Sequence, residues 1–518
     1  VSPVAGWLIA VTVIGGFLLA VAVHDALQRK HTILANFPII GHFRYLLESI
    51  GPELRQYIVT SNDEERPFNR AQRRWVYASA KRQNPNFGFG TDQDLDQTGY
   101  LIVKHSAFPH LDEIDEAATL PCAKELGAWR DRPGRFRPAS VVNISGMSYG
   151  SLSGPAVEAL NVGARLAGCL QNTGEGGISE FHRSGGELVY QIGTGYFGCR
   201  NPDGTFSLPR FIETVGSAPV RAIEIKLSQG AKPGLGGMLP GVKVTPAIAA
   251  ARGVPVGETV KSPNAHSAFS DVDGLIDFTE ELAGATGLPV GIKSAVGGAR
   301  FWDELARRMA ERGEGPDFVN VDGGEGGTGA GPLVFTNHVA LPFRRGFARV
   351  YLAFVAHGLH QNVVFVGGGK LGFGAEGLAA MNMGADLLSV GREALLAIGC
   401  IQTQRCHTGR CPTGVTTHSR WLTRGLDPAL KSVRCANYIM SLRAELLQLA
   451  HACGQSHPAL VPPTALELLY EEPARRVDLC QHYRYPPDLH TLSVEQAELI
   501  GELCSRPAAA REVPVAVS

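Results

Sequence analysis

The chain has 518 residues, 48 Lys+Arg against 49 Asp+Glu for a formal net charge of −1, and 62 glycines, a glycine share well above the roughly 7 % average. That length can bury a large core, as one barrel with extensions or as several domains. The balanced charge, with no long basic block, argues against a nucleic-acid partner, and ten cysteines in so long a chain, seven of them scattered, do not make a disulfide scaffold.

Val4 to Val23 is a run of twenty residues without a charge, about 30 Å long as a helix and enough to cross a bilayer. The stretch His24 to His31 that follows carries Arg29 and Lys30, whereas no cation precedes the run. The positive-inside tendency then predicts a single-span anchor over residues 1–25, with the catalytic domain on the cytoplasmic side. A cleavable signal peptide is the rival, since Ala20-Val21-Ala22 resembles a cleavage site. The run is long for an h-region, however, and the n-region has no positive charge. Residues 26–117 read as a polar N-terminal extension with helical stretches, among them an amphipathic helix over Pro67 to Gln83.

From 118 to 425, short apolar runs alternate with helical patterns and glycine punctuation. Candidate strands include Ser140–Ile144, Arg221–Ile225, Val290–Ser294, Phe318–Val321, Val363–Val366 and Leu387–Val390. Strands alternating with helices predict a parallel sheet, and functional-looking loops after successive strands favour a closed (β/α)8 TIM barrel over an open doubly wound sheet. No strand is followed by G-x-G-x-x-G with an acidic residue some twenty positions on, so no nicotinamide domain is expected here. Residues 426–518 read as a helical C-terminal extension, with a helix over Ala436–Gly454 and a loose tail from Arg506.

Five constellations carry chemistry. Gly367-Gly368-Gly369-Lys370 and Gly391-Arg392 fall in what would be the last two βα loops, where barrels commonly hold phosphate on backbone N–H groups. Lys293 closes a strand at the barrel mouth, where a cation could face a flavin; a lysine reaching solvent is an equal alternative. Lys226, Gln229 and Lys232 lie in a glycine-rich segment suited to a dicarboxylate. Glu175, in NTGEGG, can guide ammonium or move protons, although a solvated loop acid is the commoner case. Finally, Cys400, Cys406 and Cys411 are spaced C-x5-C-x4-C with a proline after the third, a pattern that suits a three-iron cluster. A zinc knuckle completed by His407 and unligated cysteines are the alternatives.

NISGMSYGSLS (Asn143–Ser153), NTGEGG (Asn172–Gly177), IKLSQGAKPGLGGMLPGVKV, VDGGEGGTGAGP (Val321–Pro332) and GCIQTQRCHTGRCPTGVTT together resemble, in the same order, the FMN-binding synthase domain of glutamate synthases. The match runs from about Phe68 to Val461. The resemblance implies FMN at the mouth of the barrel and a 3Fe-4S cluster on Cys400, Cys406 and Cys411. It also implies reductive amination of 2-oxoglutarate, through 2-iminoglutarate, to L-glutamate. By motif position Glu175 matches the ammonia-path glutamate, and Lys226, Gln229 and Lys232 match the segment between flavin and substrate. Lys293 matches the flavin-facing lysine. Gly146, Met147, Ser148, Asn172, Gly326, Gly327 and Thr328 match loops around the cofactor, and Gly367, Gly368, Gly369, Gly391 and Arg392 match its phosphate site.

The departures bear on partners and substrate. These residues include no N-terminal catalytic cysteine, no glutaminase domain and no pyridine-nucleotide domain. Ammonia is therefore expected from outside, and electrons from ferredoxin or a reductase subunit. Where the family carries a histidine-rich segment ending in aspartate, this chain has SPNAHSAFS (Ser262–Ser270), and RVDGG becomes FVGGG. Alternatives are amination of another 2-oxo acid, an amine donor giving an N-alkyl glutamate, or a membrane-attached electron-transfer module without synthase activity.

Overall fold

The structure is a computed structural model that describes residues 3–83, 86, 88–115, 119–469 and 477–505. The loose tail expected from Arg506 and the expected boundary at 117/118 lie outside the described residues. The chain divides into two compact units, Val1–Ala71 and Gln72–Ser518.

In the first unit, α1 (Pro3–Leu27) is apolar up to its last turn, which holds His24 and Asp25, and none of its most apolar window is buried. Among the described residues it is the one helix long and apolar enough to cross a membrane. A short helix, α2 (Thr32–Asn36), leads to α3 (Ile40–Leu54), which continues as a π-helical turn over Arg55–Val59.

In the second unit, eight parallel strands close in chain order into a barrel. They are β1 (Val142–Ile144), β2 (Gln171–Asn172), β3 (Leu188–Ile192), β4 (Val220–Lys226), β5 (Val290–Ala295), β6 (Phe318–Asp322), β7 (Val364–Gly368) and β8 (Leu387–Val390). Val390 pairs with Ile144 to shut the ring. The six expected strands all take part. β2 escapes a reading by pattern because it is only two polar residues long, and its register comes from Ile144 on one side and Leu188 on the other. Both faces of the barrel are covered, so the strands are buried along nearly their whole length, as parallel strands require.

Below the barrel, Cys122 and Leu126 pack with Phe318, Val364 and Leu387 and plug the end where the strands begin. The mouth at the strands' C-terminal ends is left for the loops. On the outside, helix Gly154–Ala167 starts at Ser153, whose side chain accepts from Ala156 N, and stops at Gly168 in the left-handed region. It lies against helix Pro428–Ala452, which begins at the Asp427 cap, eight residues before the expected start at Ala436. The polar first turns of that helix hide its apolar period from a sequence reading. The extensions also hold an unforeseen sheet, in which Leu101–Val103 pairs with Leu466–Leu468. The expected amphipathic helix over 67–83 is observed as Arg70–Ala80.

Candidate active site

β4 and β5 are in register so that Lys226 lies opposite Lys293, and both lysines stand at the strands' C-terminal ends. Two unscreened ammonium groups side by side repel, and each has a carboxylate. Lys226 Nζ lies 2.8 Å from Glu175 Oε1 and 2.6 Å from Gln229 Oε1. Lys293 Nζ lies 3.8 Å from Asp322 Oδ1, at the end of β6, whose other oxygen accepts from Gly230 N at 2.8 Å. Gly230 has no room for a side chain, because an added Cβ would overlap the Gly323 carbonyl. The loop after β4 is thereby pressed onto the loop after β6.

Glu175 is the electrostatic centre of this mouth. Burial works to raise its carboxyl, but the charge and hydrogen bond of Lys226, backed by Lys232 and Arg252, hold it below the ordinary glutamate value. Burial lowers the Lys232 ammonium, with Glu175 pulling the other way and Lys226 adding to the fall. Arg252, fixed by Nη2 on Tyr149 O at 2.9 Å, is pushed down to about 10 by burial against the pull of Glu175. Its Nε is buried without a partner.

Beneath this ring lies a polar layer inside the barrel. Glu224 Oε1 accepts from Asn172 Nδ2 at 2.8 Å and from Gln191 Nε2 at 2.6 Å, and Oε2 accepts from Asn320 Nδ2 at 2.7 Å. Glu224 is 1 % exposed, so these three amides replace its hydration. Asn320 Oδ1 remains buried with no partner. Gly146 leaves the space above: a Cβ there would sit 2.7 Å from both Asn172 Oδ1 and Gln191 Nε2. Met147 and Ser148, next along, lie against the Gly174 backbone of the β2 loop.

On the opposite side of the mouth, Gly367 and Gly368 end β7, and Gly323 N donates to Gly368 O at 2.8 Å. Gly369 follows with φ 127°. Gly391 opens the β8 loop, near Ser145 and Met147 of the β1 loop. Arg392 does not extend into the mouth alone; its Nη2 donates to the Glu325 carbonyl and its side chain lies against Gly327. Gly326 sits beside the Asp322 carboxylate, and Thr328 Oγ1 donates to Ala330 O at 3.3 Å.

The departing segment 262–270 has a positional role. His266 Nε2 lies 3.0 Å from Lys226 O, and its Nδ1 lies 3.1 Å from Tyr196 OH. That hydroxyl also accepts from Ser267 N and Ala268 N. Burial lowers the His266 imidazole, so a neutral ring donates from Nε2 to the Lys226 carbonyl and accepts from Tyr196 at Nδ1.

The three cysteines lie together in the segment after the short helix Arg392–Ala397 that follows β8. Cys400 Sγ accepts from Gln402 N at 3.4 Å, and Cys411 Sγ lies 3.4 Å from Thr413 Oγ1. Burial works to raise the Cys411 thiol, but hydrogen bonds from Thr413 and Thr416 hold it below its ordinary value. Lys243, only 8 % exposed, donates to Cys406 O at 3.0 Å and to Thr416 O at 3.4 Å. Donors aimed at sulfur and a buried cation suit a thiolate at Cys411, whereas burial pushes the Cys400 thiol up to about 12. Among the described residues no three His, Cys, Asp or Glu side chains converge as a single ion would need.

Of the sequence-predicted residues, the structure brings Glu175, Lys226, Gln229 and Lys232 together, and it sets Gly326 and Gly368 beside Asp322. Asp322, Glu224, Gln191, Asn320, Arg252 and His266 were not anticipated. Asp322 could have been found as the last residue of a strand ahead of a glycine run. Glu224 and Gln191 leave no such signal.

A closed barrel with paired cations and carboxylates at the C-terminal ends of its strands is the arrangement of a (β/α)8 enzyme. Residues 134–456 match the family model described as the conserved region in glutamate synthase. The glutamate synthase large subunit-like protein YerD of Bacillus subtilis is 35 % identical over 481 residues, 84 % of this chain and 89 % of that one. The archaeal-type glutamate synthase (NADPH) of Thermotoga maritima is 32 % identical over 400 residues, 77 % of this chain and 74 % of that one. A flavocytochrome b2 variant with sulfite bound aligns with 16 % identity and a TM-score of 0.43, covering 89 % of this chain and 96 % of that one. The chain belongs to the glutamate synthase family and is an oxidoreductase of that type.

Proposed function

We propose that this chain catalyses the reductive amination of 2-oxoglutarate to L-glutamate, with ammonia as nitrogen source, FMN as flavin and an external electron donor such as ferredoxin or a reductase subunit. The observation that carries this reading is the Lys226–Glu175–Gln229 cluster, with Lys232 and Arg252 behind it. Cations in excess of one carboxylate make a pocket for an acid of opposite charge. Glu175, held ionised, takes the proton from ammonium and leaves ammonia free to add to the C2 carbonyl. Lys226, within hydrogen-bond reach of Glu175, returns a proton to the hydroxyl that leaves as water, giving 2-iminoglutarate. His266 keeps the Lys226 backbone in place for this exchange.

FMN fits the mouth on two observations: the partnerless, buried Asn320 Oδ1, and the side-chain-free backbone at Gly367–Gly369, where an added Cβ would come within 3.2 Å of a neighbour. Those glycines would hold the phosphate, with Arg392 tying the loop that Gly391 opens to the loop after β6. Lys293, Gly326, Gly327, Thr328, Gly146, Met147, Ser148 and Asn172 would surround the ring and ribityl chain. When bound, FMN supplies the hydride for the imine carbon. Cys400, Cys406 and Cys411 would hold a 3Fe-4S cluster, which supplies one-electron transfer from the donor. The apolar α1 supports a single-span anchor, with the barrel on the cytoplasmic side by the charge rule.

The test is anaerobic photoreduction of the purified flavoprotein, followed by mixing with 2-oxoglutarate and ammonium. Rapid reoxidation with glutamate formed supports the synthase reaction. Reoxidation with an alkylamine and not with ammonium moves the reading to an N-alkyl glutamate, and no reoxidation with any 2-oxo acid overturns it.

A further inference from the structure

The helix that follows the apolar span is itself unfinished as a soluble surface. In α3 and its π-helical continuation, Ile40, Phe43, Leu47, Ile50 and Leu54 recur at three- and four-residue spacing and form one stripe. All of these are exposed, Ile40 by 77 % and Phe43 by 62 %, and the stripe runs on to Ile58 at 73 %. Arg44 and Glu48, paired at 2.9 Å, flank the stripe along one edge. Soluble monomers rarely leave so continuous an apolar stripe uncovered.

A hydrogen-bonded latch decides what covers it. Asp25, in the last turn of α1, is fully buried. Its Oδ2 accepts from Ile39 N at 3.0 Å and lies 2.9 Å from His42 Nε2, and its Oδ1 lies 3.0 Å from the same nitrogen. The first turn of α3 is therefore tied to the end of the span across fourteen residues of chain. Wherever the end of α1 lies in a bilayer, the start of the amphipathic helix lies at the same depth. Arg29 and Lys30, in the connection, belong at headgroup level.

We infer that Ile40–Val59 is an in-plane membrane helix, its apolar stripe sunk in the lipid interface beside the span. The partner is the lipid surface itself, and the helix gives the chain a second membrane contact that a single span lacks. The inference rests on the reading of α1 as an anchor.

The full chain, reconstituted in phosphatidylcholine–phosphatidylglycerol vesicles with or without brominated acyl chains, tests it through tryptophan fluorescence. Leu47→Trp and Leu54→Trp each add a tryptophan on the stripe, Glu48→Trp adds one on the polar face, and the five native tryptophans give the baseline. The expected result is a blue-shifted added emission, quenched by brominated lipid, for Leu47→Trp and Leu54→Trp. The added emission of Glu48→Trp is expected to be quenched by aqueous acrylamide instead. Acrylamide quenching of both stripe variants without bromolipid quenching overturns the inference, as does shielding from both quenchers, which would indicate a protein partner or a second copy. Trp7, inside the span, separates the two readings. If Trp7→Phe leaves bromolipid quenching of the parent unchanged, the anchor reading fails and this inference with it; if it lowers that quenching, only the behaviour of the stripe decides.

Discussion

Lys226 Nζ and Glu175 Oε1 meet at 2.8 Å although they are separated by 51 residues of sequence, one at the end of β4 and the other in the loop after β2. Both are mostly buried, with 11 % and 18 % side-chain exposure. A pair so shielded from water loses more when one partner is removed than an exposed pair does.

Lys226→Met leaves Glu175 with Lys232 and Arg252 alone and takes away the proton donor. Turnover with 2-oxoglutarate and ammonium is expected to fall by about 10²-fold, in the range seen on deleting one preorganised catalytic donor. Flavin content should be unchanged, measured as absorbance at the flavin band per chain. Activity retained within threefold would remove Lys226 from the reaction.

Glu224→Leu strips the common acceptor from Asn172, Gln191 and Asn320. Each buried amide left unpaired costs about 1–3 kcal/mol. A marked fall in melting temperature is expected, together with loss of bound flavin. Glu224→Gln should be milder, since the Asn320 amide can turn and present its oxygen. Equal effects from both substitutions would contradict the network.

Lys243→Met removes the ammonium from the Cys406 and Thr416 carbonyls. The cysteine loop should loosen, so that iron per chain drops and the thiols react faster with an alkylating agent under reducing conditions. Lys243→Arg, which keeps the charge, should restore much of the iron. Iron content unaffected by Lys243→Met would separate that lysine from the loop.

Two buried imidazoles make the fold acid-sensitive. Burial pushes His457 from its ordinary 6.5 down to about 4, opposed by its contact with Pro121 O, and pushes His182 down to about 3, with the neighbouring Arg183 adding to the fall. The unfolded chain binds protons at these sites below pH 6.5 while the folded chain does not, so stability rises with pH across that window. The His457 contribution, about 3 kcal/mol by the size of its shift, is complete above pH 6.5 and lost between 6.5 and about 4. Melting temperature against pH should show the decline, and His457→Asn should flatten it. An unchanged slope in that variant would show that other groups carry the acid transition.

Much of the site was legible because glycine and charge are local signals. Glu175 stood out in a loop too rich in glycine to serve packing, and Gly367–Gly369 and Gly391 could be placed in the last two barrel loops by counting strands. The three cysteines were visible from their spacing, since one short segment contains them all. Strands β4 to β8 were readable because buried parallel strands are nearly continuous apolar runs.

What sequence alone determined is therefore the class of fold, the family and the polar residues that travel in motifs. What only the tertiary structure decided is which of them meet. Register between β4 and β5 sets Lys226 beside Lys293, and closure of the barrel turns Asn172, Gln191, Glu224 and Asn320, scattered over four strands, into one hydrogen-bonded layer. Asp25 and His42 became a latch in the same way. These relationships depend on hydrogen bonds between residues distant in the chain. Such bonds gain their strength from the burial that folding creates, so a linear pattern holds no trace of them.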